Sequence, residues 1–249
     1  MNQTNRMDSS MKALLLAAGE GARLRPLTEK LPKPMISIGG KPILEHNVQW
    51  LARQGIREIV INLHHCPDVV KNHFGDGSCF GVNITYSYEP QLLGTAGAVK
   101  KLEPFFQSTF LVVYSDNLID CSLKRLLSFH HERGGLVTIV LHYRDDVSNS
   151  GIVTIDEEDR VTSFVEKPNA NQVFSHWVNA GVLLLQPEVL KYIPSGIPSD
   201  FGKEILPRLL EQGAELYGYR IRDGERIWWI DTPADLERVQ RIFKEVTSG

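Results

Sequence analysis

Short apolar runs alternate, through the first half of the chain, with stretches whose apolar positions recur every three or four residues. The runs at 13–17, 58–63, 83–88, 110–114 and 136–142 predict strands; the stretches at 42–54, 67–74, 95–102 and 122–133 predict helices. Pro42 suits a first helical turn, Leu44, Val48, Leu51 and Ala52 share one face, and Gly55 can end that helix. Strand–helix alternation of this kind predicts an α/β fold with a mostly parallel sheet flanked by helices.

From about residue 150 the pattern shortens. Strands are predicted at 151–155, 161–165, 177–185, 216–221 and 227–230, and helices at 200–212 and 233–246. Thr232, Pro233 and Asp235 fit the N-cap, N1 and N3 positions of the last helix. No linker-like stretch, internal repeat or low-complexity segment interrupts the chain, which predicts one domain over 11–249. The polar residues 1–10 are expected to be a poorly ordered tail, with Met7 and Met11 as alternative starts.

Composition narrows the function classes. The 249 residues are 42% hydrophobic, enough for a substantial core, and no apolar run approaches the roughly 20 residues that cross a bilayer. Cys66, Cys79 and Cys121 form neither a CxxC pair nor a zinc pattern and read as reduced thiols, so a cytoplasmic protein is expected. The formal net charge of −3 offers no broad basic face for nucleic acid. The pairs His64-His65 and His130-His131 lack metal-ligand spacing and read as surface or core histidines.

The chemistry concentrates in "LLLAAGEGARLRPLTEKLPKP", residues 14–34. In open α/β sheets the loop after the first strand is a common seat for a nucleotide phosphate. Gly19 and Gly21 let backbone amides approach phosphate oxygens, and Arg23 and Lys33 add charge; Arg25 and Lys30 are left as supporting or merely solvated. Pro32 and Pro34 restrict the loop around Lys33. Leu24 stands where a third Rossmann glycine would be, and no G-x-x-x-x-G-K-[ST] spacing is present, which disfavours an ordinary NAD site or ATPase P-loop.

The run Leu16-Ala17-Ala18-Gly19-Glu20-Gly21-Ala22-Arg23-Leu24-Arg25-Pro26-Leu27-Thr28, followed by Pro32-Lys33-Pro34-Met35, resembles the signature of the sugar-phosphate nucleotidylyltransferases. "LLGTAGAV", "VVYSDNLID", "FVEKP", "VNAG" and "WWIDTPADL" resemble that family's later segments in the family's order. The resemblance implies a Rossmann-like nucleotide-diphospho-sugar transferase fold, with nucleotide binding over about 11–135 and sugar-phosphate binding over about 136–249. It implies an enzyme that joins a nucleoside triphosphate to a sugar 1-phosphate and releases pyrophosphate, with Mg²⁺ as cofactor.

Carried over residue by residue, it implies catalytic roles for Arg23, Lys33, Asp116 and Asp231, with Asp116 and Asp231 as metal ligands. Nucleotide contacts fall to Ala18, Gly19, Gly21, Arg23, Glu89, Gly94 and Thr95, where Gly94 and Gly97 would admit a flat base and Thr95 read its edge. Sugar-phosphate contacts fall to Gly151, Glu166, Lys167 and Asn179, with Asn179 expected as a buried amide in need of partners. On residue type alone, Asp231 could instead be a residue preceding a helix cap, Glu166-Lys167 a solvated salt-bridge pair, and "GTAGA" a helix start without a ligand.

Two departures qualify the resemblance. Ser115 stands where the family often has glycine, and no β-helix repeat follows residue 246, so no attached acetyltransferase activity is implied. "LGTAGAV" looks like the mannose and heptose guanylyltransferases, favouring GTP. The compact length is equally similar to the N-acetylmuramic acid 1-phosphate uridylyltransferases, leaving UTP as alternative. A non-catalytic regulatory or binding paralogue and an NAD-dependent dehydrogenase are the readings from other classes; homo-oligomerisation is left open.

Overall fold

The computed structural model describes residues 11–247; the tail expected at 1–10 lies outside them. In chain order the elements are β1 (Lys12–Leu16), β2 (Ser37–Ile38), β3 (Lys41–Pro42), α1 (Ile43–Arg53), β4 (Glu58–Leu63), α2 (Pro67–Phe74), β5 (Asn83–Tyr88), α3 (Gly94–Lys101), β6 (Phe110–Tyr114) and β7 (Asn117–Asp120). They continue with α4 (Leu123–Arg133), β8 (Val137–Tyr143), β9 (Gly151–Ile155), β10 (Val161–Glu166), β11 (Trp177–Leu185), α5 (Leu206–Glu211), β12 (Leu216–Arg220), β13 (Arg226–Trp229) and α6 (Pro233–Thr247). The architecture is mixed α/β, with two compact units formed from interleaved segments.

The first unit takes residues 11–91, 114–120 and 226–247. Its strands β1, β4 and β5 pair in parallel, with Leu14 opposite Val60 and Val60 opposite Thr85. Ala13, Leu14, Leu15, Ile59, Val60 and Ile61 are wholly buried, as parallel strands covered on both faces require. A separate antiparallel ribbon joins β7 to β13, with Leu118 opposite Trp228 and Asn117 opposite Trp229. Buried Asn47 on α1 fastens that ribbon, donating to the Asn117 carbonyl at 2.8 Å and accepting from the Ile119 amide at 3.3 Å.

The second unit takes residues 92–113 and 121–225. Here β11 pairs antiparallel with β6, β8 and β9; β10 adds antiparallel to β9, and β12 adds parallel to β8. Ser122 caps α4 by accepting from the Arg125 amide at 3.3 Å, and Gly134 closes the helix. Among the described residues no helix is long and apolar enough to cross a membrane.

Three local readings change. Pro42 precedes the first turn of α1 as its N-cap. The helix expected over 200–212 opens instead as a π-helical turn, Phe201–Ile205, before α5 begins. Pro207 has no amide proton for the normal ladder, and the Ile205 amide reaches back five residues to the Asp200 carbonyl at 3.1 Å. Strand β7 escaped the sequence pattern because four residues bracketed by Asn117 and Asp120 carry too little periodicity.

His130 lies fully buried on α4, with Nδ1 2.8 Å from Thr138 Oγ1 and Nε2 2.7 Å from Gln186 Nε2. Burial, helped by neighbouring His131, pushes its pKa down to about 4. The unfolded chain, with an ordinary histidine near 6.5, therefore binds more protons between those values, and stability falls as pH drops from about 6.5 to about 4. Urea unfolding across that window should show up to about 3 kcal/mol of loss from this group. His130→Gln should remove that part of the slope; an unchanged slope would show that His130 is not its source.

Candidate active site

Arg23, Lys33, Asp116 and Asp231 each lie within three residues of a member of one apolar cluster. Leu24, Ile36, Ile38, Ile43, Leu118, Ile230, Leu236 and Val239 pack together within the first unit. Leu24 follows Arg23, Ile36 lies three residues after Lys33, Leu118 two after Asp116, and Ile230 directly precedes Asp231. The leucine at position 24 is thus a core residue, which is why no third glycine stands there. Burying it fixes the short 3₁₀ turn Ala22–Leu24 that carries Arg23 outward.

The ribbon brings the two carboxylates together. Because Asn117 faces Trp229, the residues just before Asn117 and just after Trp229 meet at one end of the β7–β13 pair. Lys33 Nζ sits there, 2.7 Å from Asp116 Oδ2 and 3.5 Å from Asp231 Oδ1. Arg23 NH2 adds a contact of 3.0 Å to Asp231 Oδ1. The Lys33 side chain is only 7% exposed, against 37% for Asp116, 17% for Asp231 and 49% for Arg23. Burial works against the charged Asp116 carboxyl, but the charge and hydrogen bond of Lys33, aided by the local amide and Arg23, hold its pKa below the ordinary value.

The helix cap accounts for its own residues and leaves Asp231 for this cluster. Asp235 accepts from the Thr232 amide at 3.0 Å, while Thr232 Oγ1 accepts from the Asp235 amide at 3.2 Å. The Asp231 carboxylate instead faces Lys33 and Arg23. Two hard oxygen donors converging on one cationic nitrogen suit Mg²⁺, provided phosphate and water complete its shell. Among the described residues no group of three or more His, Cys, Asp or Glu side chains could hold a metal unaided. Ser115, beside Asp116, has a buried hydroxyl without a hydrogen-bond partner among the described residues.

Gly21 is required by both conformation and space. Its φ of 64° is left-handed, and a Cβ there would lie 2.7 Å from Lys33 Cβ and 3.0 Å from Thr28 Cγ2. Buried Thr28 donates to the Gly21 carbonyl at 2.8 Å, and His65 reaches the Thr28 carbonyl. Gly19 is exposed with open space around it, and Ala18 is buried. Asn62, which the sequence pattern did not single out, accepts from the Ala17 amide at 2.7 Å and donates to Glu89 at 2.9 Å. Glu89 is 1% exposed, so its carboxylate steadies Asn62 from within the fold.

In the second unit, register aligns three of the expected sugar-side residues. Glu166 pairs with Gly151, and Val178 with Ile152, which puts Glu166, Gly151 and Asn179 in one row across β10, β9 and β11. Glu166 Oε2 lies so close to two backbones that a Cβ on Gly151 or Gly202 would come within 2.7 or 2.6 Å of it. Burial, then the charge of Asp200, raise the Glu166 pKa; Lys167 and Lys203 offset part of that. Lys167 is exposed with a left-handed φ of 49°, its amide bonded to the Ser150 carbonyl, and Ser150 Oγ accepts from Arg144.

Contacts at two further positions bear on the expected roles. Asn179 is half-buried rather than buried, and its side-chain Oδ1 accepts from the Gly181 amide at 3.0 Å where the β11–β8 register shifts. At the Gly94-Thr95 turn Gly94 is exposed, but the polar groups beside it are already engaged. The Ser199 carbonyl lies against Gly94, and the Thr95 hydroxyl is bonded to Asp200 and to the Phe201 amide. Asp200, Lys203 and Arg144 were invisible to motif reading because they lie outside the quoted segments.

A profile of the Nucleotidyl transferase family matches residues 12–239. The UTP–glucose-1-phosphate uridylyltransferase of Synechocystis sp. is 37% identical over 235 residues, covering 89% of this chain and 60% of that protein. The mannose-1-phosphate guanylyltransferase of Mycobacterium tuberculosis is 36% identical over 233 residues, covering 91% and 62%. The chain therefore spans about three fifths of the length of these curated relatives. Among solved structures, HddC from Yersinia pseudotuberculosis shares the fold with a TM-score of 0.79 at 24% identity, covering 94% of this chain and 99% of that one.

The loop geometry separates two kinds of substitution. Gly21→Ala should destabilise the protein by at least about 1 kcal/mol, from left-handed strain together with the approach to Lys33. Arg23→Ala, which removes a half-exposed pair, should change stability by less than about 1 kcal/mol. Chemical denaturation of both variants checks this; equal effects would contradict the packing of Gly21 on Lys33.

Proposed function

The chain belongs to the Nucleotidyl transferase family, and we propose that it transfers a nucleotidyl group from a nucleoside triphosphate to a sugar 1-phosphate. The observation that carries this reading is the convergence of Asp116 and Asp231 on Lys33, next to a glycine-bearing loop with Arg23 at its tip. Such a cluster balances charge by itself and can re-pair when a polyanion arrives. Lys33 and Arg23 then face phosphate oxygens, and the two carboxylates become free to hold Mg²⁺. Bound there, Mg²⁺ would neutralise phosphate oxygens and act as a Lewis acid toward them.

The chemistry asks little covalent work of the protein. An oxygen of the sugar 1-phosphate attacks the α-phosphorus, forming a new P–O bond, while the bond from that phosphorus to the bridging oxygen breaks and pyrophosphate leaves with the electron pair. The attacking oxygen is already ionised at neutral pH, so no general base is needed. Catalysis rests on positioning and on neutralising the charge of two anionic substrates. Arg23 and Lys33 serve the triphosphate, with the amides around Ala18, Gly19 and Gly21 approaching its oxygens.

The sugar 1-phosphate falls to the row in the second unit. Among the described residues no hydrogen-bond donor is paired with the Glu166 carboxylate, which suits it to sugar hydroxyls. Lys167, held in a strained conformation at the end of β10, serves the phosphate. The amide of Asn179 and the bare backbone at Gly151 complete the subsite.

GTP with a mannose- or heptose-type 1-phosphate is the favoured pair, supported by "LGTAGAV" and by the name of the mycobacterial relative. Uridylyl transfer is the second reading, supported by the cyanobacterial relative's name, and keeps N-acetylmuramic acid 1-phosphate among its candidate acceptors. The three free cysteines support a reducing compartment such as the cytoplasm. Retention of Arg23, Lys33, Asp116, Lys167 and Asp231 argues against a non-catalytic paralogue.

A matrix of nucleoside triphosphates against sugar 1-phosphates, scored by pyrophosphate release, tests the reading; no turnover with any pair would overturn it. With the best pair, chelation of divalent metal should abolish turnover and added Mg²⁺ restore it. Asp116→Asn and Asp231→Asn should each lower kcat by at least about 100-fold while the fold survives. Full activity in both would sink the metal assignment.

A further inference from the structure

Resting on the sugar 1-phosphate reading above, we propose that Asp200 is a positioning residue for Glu166, acting through the Ser199–Gly202 stretch that it fastens to Thr95. Every contact involved lies within the second unit.

The turn before α3 is shaped around that stretch. A Cβ on Gly94 would lie 2.3 Å from the Ser199 carbonyl oxygen, so backbone packs directly on backbone there. That oxygen accepts from the Ala96 amide at 3.0 Å and the Gly97 amide at 3.2 Å, while the Ser199 amide donates to the Leu93 carbonyl at 2.9 Å. Two donors at the start of α3, which a ligand could otherwise use, are therefore spent on the chain itself. The Thr95 side chain completes the seam. Its hydroxyl donates to Asp200 Oδ2 at 3.0 Å and accepts from the Phe201 amide at 2.8 Å.

Asp200 carries the seam forward. While Oδ2 takes Thr95, Oδ1 accepts from the Gly202 amide at 2.9 Å and the Lys203 amide at 3.0 Å, fixing the start of the π-helical turn. These are charge-assisted bonds to one carboxylate, and they orient the Gly202 backbone. Gly202, like Gly151 across the β10–β9 pairing, lies against Glu166 with room for no side-chain atom between them. A continuous path thus runs from Thr95 through Asp200 and Gly202 to the Glu166 carboxylate. Loosening it lets Gly202 drift and leaves the carboxylate without its fixed wall.

This assignment gives Thr95 a different task from reading a nucleobase, and the two tasks differ in their kinetics. Acting through Glu166, Thr95 and Asp200 affect the sugar 1-phosphate; reading the base, Thr95 would affect the triphosphate. Steady-state kinetics of Thr95→Val, Thr95→Ser, Asp200→Ala and the Thr95→Val/Asp200→Ala double variant, with the best substrate pair of the wild type, separate them. Thr95→Val and Asp200→Ala should each raise KM for the sugar 1-phosphate about tenfold, with kcat and KM for the triphosphate within about twofold of wild type. Thr95→Ser, which keeps the hydroxyl, should behave as wild type, and the double variant should be no worse than Asp200→Ala alone.

An unchanged sugar 1-phosphate KM in Asp200→Ala would overturn the proposal. So would a Thr95→Val effect confined to the triphosphate KM, or a joint shift of kcat and both KM values with a lowered melting temperature. Absence of turnover in the wild type would instead fell the underlying reading, and this inference with it.

Discussion

One nearly buried ammonium sets the terms for the first unit. Lys33 cannot lie 7% exposed without anionic partners, and it finds two, at 2.7 and 3.5 Å, from segments 83 and 198 residues away in sequence. Satisfying it requires the β7–β13 ribbon to end where Asp116 and Asp231 meet, and that ribbon is held by Asn47 and by the apolar cluster around Leu118 and Ile230. It also requires Gly21, since a side chain there would push into Lys33. Breaking one partner would leave charge uncompensated, which costs more than the pair contributes when intact. The arrangement that makes the fold consistent also supplies the cations and carboxylates that phosphate chemistry uses.

The second unit solves a different problem with similar means. Glu166 has no ion pair among the described residues and lies between the backbones of Gly151 and Gly202, near a second acid at Asp200, with Lys167 and Lys203 acting on it only at longer range. Asp200 has its charge spread over donors from Thr95, Gly202 and Lys203, so the neighbouring acids are not equivalent. One is fully employed in building the turn, and the other has no hydrogen-bond donor among the described residues. The two acids of the second unit thus differ in how their oxygens are engaged, and the assignment of a sugar 1-phosphate to Glu166 rests on that difference.

Much of this was legible in the sequence, for physical reasons that differ from element to element. The strands Glu58–Leu63, Asn83–Tyr88 and Phe110–Tyr114 stood out because β-branched and aromatic residues predominate in each short run. The cap at Thr232 and Asp235 was readable because its chemistry is local, and its bonds appear as expected. Leu24 looked like a defect in a glycine motif and proved to be a core residue, a role set by partners far away in sequence. The employment of Thr95 was hidden because Asp200 lies 105 residues on and belongs to no motif. Asn62 was hidden likewise, its role resting on the distant Ala17 amide and Glu89 carboxylate.

A double-mutant cycle between Lys33→Met and Asp116→Asn, followed by urea unfolding at neutral pH, tests most directly whether the buried ammonium and its carboxylate hold the first unit's site together. Each single variant should be destabilised and the double variant should lose less than the sum, with a coupling of roughly 1–2 kcal/mol. A coupling indistinguishable from zero would contradict it.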